Sequence, residues 1–486
     1  KFVEQSVSEL ETMPNVVMRT RMMGAGIYDH GYVLGYEQLR DHTPNTPGPR
    51  HRLWRIRAGH VVTATGAIER PLSFAGNDIP GVMLAAAQRD YLVNFGVSVG
   101  RRTVVVTNND DAYRTAFALK EAGLDVPAIL DARSSDAPSG VLQRAEELGI
   151  TVLSGHGVSS VKGGKRVEAV VVCKQDGSGE KVQEIPCDAV AMSGGWSPVV
   201  HLWSHCGGKL VWDADHACFR PDVDKAPTGA AGQAFVTPAG AANGAFALAD
   251  ILEDADHAAR SAAAAVGRKI RKSKSPQALR EPEAPLAPVW LMPAQADISL
   301  RSKAWLDYQN DVKVSDIQLA AQEGFESVEH AKRYTTLGMA TDQGKLSNIN
   351  GLAILSDALD RPIPQTGTTT FRPPYTPISM GAIGGEARGD VFQPLRRTPM
   401  HEWHEAHGAD WEPVGHWRRP YAFVREGERV KDAVSREVTN TRKNLGLLDA
   451  STLGKIIVKG PDAGKFMDMM YTNMMSTLKP GKCRYG

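Results

Sequence analysis

Short aliphatic and β-branched runs, each closed by glycine, proline or an Asn/Asp cluster, alternate in the first part of the chain with stretches of helical period. Val16–Met18 and Met22–Tyr28 are predicted as two short strands around a turn. Tyr32–Tyr36 and Leu53–Ile56 continue them as an antiparallel meander that leads into a strand at Val61–Thr63. Thr103–Thr107 (TVVVT) enters a helix over Asp111–Ala122, and Ala128–Asp131 (AILD) follows as the next strand, which makes a βαβ unit. Val167–Val172 and Ala189–Met192 are further strands. Phe235–Leu252 (FVTPAGAANGAFALADIL) predicts a strand, a Gly/Ala turn and an Ala-rich helix.

Arg268–Pro293 is crowded with Lys, Arg, Pro and Ala and predicts an extended domain boundary. Beyond it, helices are predicted over Asp316–Glu323, capped by Ser315, and Val328–Thr335, capped by Ser327. Gln365–Gly385 (QTGTTTFRPPYTPISMGAIGG) is extended, because Pro373, Pro374 and Pro377 exclude helix. It could lie along a partner or a cofactor, or serve as an interdomain strap. His401, His404 and His407 are spaced H-x2-H-x2-H. On a helix they do not converge, so a solvated polar face is expected there rather than zinc.

The chain of 486 residues has room for about three domains. It starts at Lys1 and stops at Gly486 inside an apparent motif, and is expected to be a piece of a longer polypeptide. A net charge of +1 argues against nucleic acid or an anionic membrane as the main partner, and no apolar run reaches the roughly 20 residues of a membrane helix. Five scattered cysteines without a CxxC pair point to reduced thiols and a cytoplasmic setting.

The chemistry-bearing stretch is VVTATGAIERPLSFAGNDIPGVM, residues 61–83. A strand enters the small-residue corner Ala64-Thr65-Gly66, where the backbone can approach a ligand closely. The same sequence also suits an ordinary strand-to-loop turn. Strand-ATG-x4-P resembles the corner of two-dinucleotide-fold flavin and NAD(P) oxidoreductases. In that class a Gly-rich first βαβ unit precedes the meander, and it would lie before Lys1. The second unit turns through Thr107-Asn108-Asn109-Asp110-Asp111 without glycine, so its nucleotide site is expected to be vestigial and Asp131 a solvated strand end.

Further along, residues 307–348 (DYQNDVKVSDIQ…GMATDQGKLSN) are similar to small modules related to bacterioferritin-associated ferredoxin. The four ligand places there hold Asp307, Gln309, Asp342 and Ser347, so no iron–sulfur cluster is expected. Gly446–Ile456 (GLLDASTLGKI) and Val458–Ala463 (VKGPDA) look like the opening of the aminomethyltransferase (T-protein) fold, which binds tetrahydrofolate.

In this order the pieces resemble the α subunits of heterotetrameric sarcosine oxidases. The implied fold class is α/β: a two-dinucleotide-binding-domain (FAD/NAD(P)-like) fold, then a cluster-free ferredoxin-like helical module, then the start of an α+β aminomethyltransferase domain. The expected divisions are 1–267, a linker 268–297, a module 298–360, an extended interface segment 361–390 and a truncated folate domain 391–486. The resemblance implies that Met22, Ala64, Thr65, Gly66, Ala241, Phe246 and Leu248 contact NAD, and that Arg372 and Thr376 line an FMN-bearing interface. It implies no catalytic residue and no metal in this chain, FAD in a β partner, and γ and δ subunits completing the complex. The reaction implied is oxidation of sarcosine to glycine, H2O2 and formaldehyde, or 5,10-methylenetetrahydrofolate when folate is present. An N-methylglutamate dehydrogenase-like subunit and an autonomous FAD/NAD(P)H oxidoreductase are the alternatives.

Overall fold

The computed structural model describes residues 2–134, 140–270, 275–280 and 283–486. Part of the linker, residues 271–274 and 281–282, lies outside them. The chain divides into two compact units, Lys1–Ala382 and Ile383–Gly486.

The first unit begins with a helix, Phe2–Thr12, followed by the antiparallel meander β1 (Met22–Tyr28), β2 (Tyr32–Gln38) and β3 (His51–Arg57). Val16–Met18 forms no strand, and its side chains lack a sheet partner to cover them: Val17 is 77% exposed. Next come β4 (Val61–Thr63), β5 (Ala67–Glu69), β6 (Val82–Leu84), β7 (Thr103–Thr107), β8 (Ile129–Asp131) and β9 (Val152–Ser154). β10 (His156–Gly163), β11 (Val167–Lys174) and β12 (Gln183–Pro186) form an antiparallel sheet. β13 (Ala189–Ser193), β14 (Trp196–Pro198), β15 (Leu210–Asp213), β16 (Cys218–Pro221) and β17 (Val236–Pro238) complete the dinucleotide-type region.

A parallel sheet in the order β6-β13-β7-β8-β9 forms the middle layer. Its strands are apolar without interruption because both faces are buried. Val104, Val106, Leu130, Val190 and Met192 point into a core shared with Val158, Val170 and Val172 of the antiparallel sheet. Their neighbours Val105, Ile129 and Ala191 point the other way, onto Tyr113, Ala116 and Leu119 of the Asp111–Glu121 helix. The period of two thus builds three layers. The expected continuation of the meander into Val61 is corrected: β4 pairs in parallel with β17, which follows it by more than 170 residues of chain.

A third cluster forms around Leu306, Val314, Ile317, Val328, Leu337 and Leu352. The helix predicted from Asp316 begins earlier, at Val314, and Ser315 is inside it rather than at its cap. The cap is made by the Asp316 carboxylate, which accepts the Lys313 N–H at 3.0 Å. Ser327 does occupy the N-cap of Val328–Thr335, with no side-chain cap bond.

The second unit packs a sheet of Arg396–Arg397, Ala409–Val414 and Trp417–Phe423 with the helix Val430–Lys443. The expectation of a solvated histidine face is overturned. His401 and His404, on the helix His401–Ala406, are buried, and His404 Nε2 lies 2.9 Å from Asp449 Oδ2. Burial raises the Asp449 carboxyl, but hydrogen bonds from Ser451, His404 and Thr398 outweigh it and hold the group below the usual carboxylate range.

Candidate functional site

The parallel β4–β17 pair sets Thr63 against Pro238, and the Ala239 N–H donates to Thr63 O at 3.1 Å. This register brings the Ala64-Thr65-Gly66 corner beside the Gly240–Asn243 turn, two segments remote in sequence. Gly66 has φ +74°, and nothing lies within 4 Å of where a Cβ would project, so the corner is both left-handed and open. Thr65 Oγ1 donates to Val199 O at 2.9 Å, which anchors the corner to the residue after β14. Asp254, on the helix Leu248–Ala265, accepts from Gly240 N–H at 2.6 Å and from Asn243 Nδ2 at 2.9 Å, tying the turn to its helix.

The start of that helix has no side-chain cap; Leu248 is exposed and Phe246 packs on the His216 ring at 4.9 Å. A pocket of about 880 Å³ opens there between His216, Ala245, Phe246, Asp250 and Arg280. Ala64 and Thr65 are exposed, and Gly66 and Ala241 half-buried. Met22 is on β1, in the meander that packs against the helix His201–His205, with its side chain over Gly35.

Beneath the corner lies a buried cation that sequence reasoning passed over. Arg70 is 2% exposed and donates to Gly194 O (3.0 Å), Trp196 O (3.0 Å), Ser197 Oγ (3.2 Å), Ala217 O (2.9 Å) and His216 O (3.2 Å). Burial pushes its guanidinium down to about 10. Its neighbour Glu69 accepts the Ala86 N–H at 2.9 Å, and burial pushes its carboxyl up from 4.5 to about 7. Between those two values the folded state binds the proton more tightly than the unfolded chain, so stability is lost as pH rises from about 4.5 to about 7. The expected contribution is about 3 kcal/mol, at about 1.4 kcal/mol for each pKa unit. Urea unfolding of wild type and Glu69→Gln at pH 5 and pH 8 checks it: Glu69→Gln removes that part of the loss, and equal pH dependence in both proteins overturns the assignment.

The second nucleotide edge, at the C-terminal ends of β7 and β8, is walled on one side by linker residues, which leave a pocket between Asn109, Asp111, Gly195, Asp215 and Leu286. Asp110 Oδ2 accepts the Ala284 N–H at 2.9 Å, and Asn108 Nδ2 donates to Ala287 O at 2.7 Å. Leu286 crowds the face of Gly195. Asp131 is not the solvated strand end expected from its position. It is 4% exposed and accepts from Tyr113 Oη at 2.7 Å and from Arg133 Nη2 at 2.7 Å, while Arg133 Nη2 also lies 2.8 Å from Asp110 Oδ1. Burial alone would lower the Arg133 guanidinium, but the two carboxylates more than offset it. Linker residues and an ion triad stand where a dinucleotide's pyrophosphate and ribose would go in an open site of this fold.

The segment 367–379 is pinned from one side. Its Tyr375 N–H donates to Ala25 O at 2.7 Å, Lys345 Nζ donates to Tyr375 O at 2.8 Å, and Phe371 packs at a tilt against the His201 ring, with centroids 4.3 Å apart. Arg372 is exposed and Thr376 half-buried. The structure therefore separates the sequence-derived residues into a corner with its turn, the meander position Met22, and this strap.

Against known proteins, residues 301–387 match the family model of the sarcosine oxidase A3 domain, and residues 400–486 that of the GCVT N-terminal domain. The chain is 42% identical to sarcosine oxidase subunit alpha of Rhizobium meliloti (strain 1021), a match covering 100% of this chain and 47% of the relative. It is 40% identical to sarcosine oxidase subunit alpha of Corynebacterium sp. (strain P-1), covering 100% and 50%. From end to end, this chain is similar to sarcosine oxidase subunit alpha. It spans about half the length of the curated relatives it matches. Among solved structures, L-proline dehydrogenase from P. horikoshii shares the fold, with a TM-score of 0.55 at 20% identity over 79% of this chain and 68% of that one.

Within the region similar to the sarcosine oxidase A3 domain, two of the four places expected to correspond to cluster ligands, Asp307 and Asp342, hold backbone N–H groups, while the buried Ser347 Oγ has no hydrogen-bond partner. Asp307 is buried and accepts from Gln309 N–H (2.9 Å), Asn310 N–H (3.0 Å) and Gly338 N–H (2.7 Å), closing one turn and tying it to another. Asp342 accepts the Gly344 N–H at 3.1 Å, and Ser347 is the N-cap residue of Asn348–Ala358. Among the described residues no group of three or more His, Cys, Asp or Glu is placed to hold a metal ion, and no helix is long and apolar enough to cross a membrane.

Proposed function

We propose that this chain is the α-type subunit of a sarcosine-oxidising complex, an oxidoreductase component that holds NAD and contributes to a tetrahydrofolate site. The observation that carries this reading is the 40–42% identity to sarcosine oxidase subunit alpha over the entire chain. The matched A3 and GCVT regions, in that order after a dinucleotide-type fold, add to it. The functional divisions are 1–267, 268–297, 298–360, 361–390 and 391–486.

NAD is assigned to the corner, with Ala64, Thr65, Gly66, Ala241, Phe246 and Leu248 against it and Met22 reaching it from the meander. Support comes from the open left-handed Gly66 and the uncapped start of the Leu248–Ala265 helix, whose free N–H groups suit a phosphate. The residues assigned to NAD are small or apolar apart from Thr65 and would orient it; His216, Asp250 and Arg280 line the adjoining pocket. Exposed Arg372 and half-buried Thr376 are assigned to an FMN-bearing interface with a β subunit that carries FAD and performs the amine oxidation; γ and δ subunits complete the assembly. The second nucleotide turn has no glycine, and its Asp110 is already held by Arg133 and the Ala284 N–H, which is at odds with an autonomous FAD/NAD(P)H oxidoreductase.

Mass spectrometry of small molecules released by acid from the full-length subunit, purified without partners, tests the assignment. NAD without flavin is expected, with sarcosine-dependent H2O2 appearing only after the partners are added. Release of non-covalent FAD would overturn it.

A further inference from the structure

A pocket of about 490 Å³ lies behind the strap, where β14, the helix His201–His205 and the helix Asn348–Ala358 meet. Its walls are mostly apolar, among them Ile68, Val200, Phe219, Leu352 and Phe371. Its polar lining residues are Ser197, His201, Lys345, Asn348 and Thr368, and two of them, His201 and Lys345, carry titratable side chains. His201 is 7% exposed, yet neither Nδ1 nor Nε2 has a hydrogen-bond partner. A buried imidazole with both nitrogens idle forfeits about 1–3 kcal/mol for each unmet group, so such a residue signals a missing partner.

The second is Lys345. Its ammonium donates to Asp342 O (2.9 Å) and Tyr375 O (2.8 Å) and sits 4.4 Å from the Tyr375 ring centroid, but no ion pair to it is found among the described residues. The Asp342 carboxylate acts on this charge without forming an ion pair, and burial outweighs it and lowers the ammonium, so the half-buried cation is only partly compensated and attracts an anion. The two residues are coupled: burial first, and then the Lys345 charge, push His201 down to about 3. His201 is therefore neutral at pH 7, with one N–H free to donate to a ligand.

From the idle His201 imidazole, the Lys345 ammonium without an ion pair among the described residues and the apolar walls around them, we propose that this pocket binds a small carboxylate. The carboxylate takes its charge complement from Lys345 and a hydrogen bond from the His201 N–H, while a short apolar body lies against Ile68, Leu352 and Phe371. The pocket is distinct from the corner assigned to NAD and does not depend on that assignment. Because Phe371 and Tyr375 both contact His201, at 4.3 and 5.2 Å, a filled pocket would also brace the strap that presents Arg372.

Calorimetric titration of the purified protein with propionate and with its uncharged isostere propionamide, at pH 7, decides the matter. Saturable one-site binding of propionate is expected, at least tenfold tighter than propionamide. Lys345→Met is expected to weaken propionate at least tenfold while leaving propionamide within twofold, and His201→Phe, which fills the space, to abolish both. No saturable propionate binding to the wild-type protein, or equal affinity for the two probes, would overturn the proposal whether or not the variants fold.

Discussion

Arg133→Met is expected to destabilise the first unit by about 3–5 kcal/mol, the range for removing one partner from a buried ion pair. The cause is the state it leaves behind. Arg133 lies between Asp110 and Asp131, at 2.8 and 2.7 Å, and all three side chains are at most 10% exposed. Without the guanidinium, two carboxylates are left buried close together with no cation between them. Tyr113 still donates to Asp131, but its proton cannot neutralise two charges. The loss is read from urea unfolding followed by tryptophan fluorescence. A triple variant, Asp110→Asn with Asp131→Asn and Arg133→Met, is expected to recover most of it, because no uncompensated charge remains. If Arg133→Met costs under about 1 kcal/mol, the triad is not a structural centre, being instead no better than an exposed pair. The same substitution loosens the hold on the linker at Ala284, so faster proteolysis within 275–290 is expected to accompany it.

Arg70→Leu is expected to cost at least about 3 kcal/mol, since buried acceptors left unmet cost about 1–3 kcal/mol each. Five oxygens from two separate stretches of chain converge on this one guanidinium: Gly194, Trp196 and Ser197, then His216 and Ala217, all fixed against the end of β5. Arg70→Lys is expected to fare nearly as badly, because an ammonium offers three donors from one point and cannot span acceptors that a planar fork reaches. An Arg70→Lys protein within about 1 kcal/mol of wild type in urea unfolding would show that charge alone suffices there. Since these bonds set the loop beside the corner, Arg70→Leu is also expected to lower the retention of any dinucleotide bound there.

Much of the dinucleotide-type region was legible in the chain. The runs TVVVT, AILD and VEAVVV are apolar at successive positions because their strands are covered on both faces, and that pattern does not depend on knowing what covers them. Pro373, Pro374 and Pro377 forbid a helix through local geometry, and none forms at 367–379. The expected extended segment Gln365–Gly385 is shorter than predicted, because the helix Ile363–Thr366 runs into its start and the helix Met380–Gly384 closes its end, beyond the reach of those three prolines. The Gly66 corner was equally local, since a left-handed residue with open space around it follows from a small-residue turn after a strand.

The misses share a different origin. Asp131 and His404 carry polar side chains that a linear reading assigns to solvent, and each is buried with a partner from elsewhere, Tyr113 in one case, beside the neighbouring Arg133, and Asp449 in the other. The strand at Val61 was read as the end of a meander, whereas its partner comes from Val236–Pro238. Arg70, His201 and Lys345 gave no signal at all, because a single cation or imidazole has no periodicity and its meaning lies in what surrounds it.

The sequence by itself determined the strand and helix identities of the sheet region, the glycine-free second nucleotide turn and the absence of thiolates from the cluster-ligand places. These are properties of residue type and near-neighbour spacing. Only the tertiary structure decided that linker residues line the second nucleotide edge, that a lone arginine joins three segments beneath the corner, and that a neutral histidine and a lysine without an ion pair among the described residues share one pocket. Each of these depends on burial and on long-range pairing, which raise the energetic stakes of a polar group from tenths of a kcal/mol in water to several in the interior.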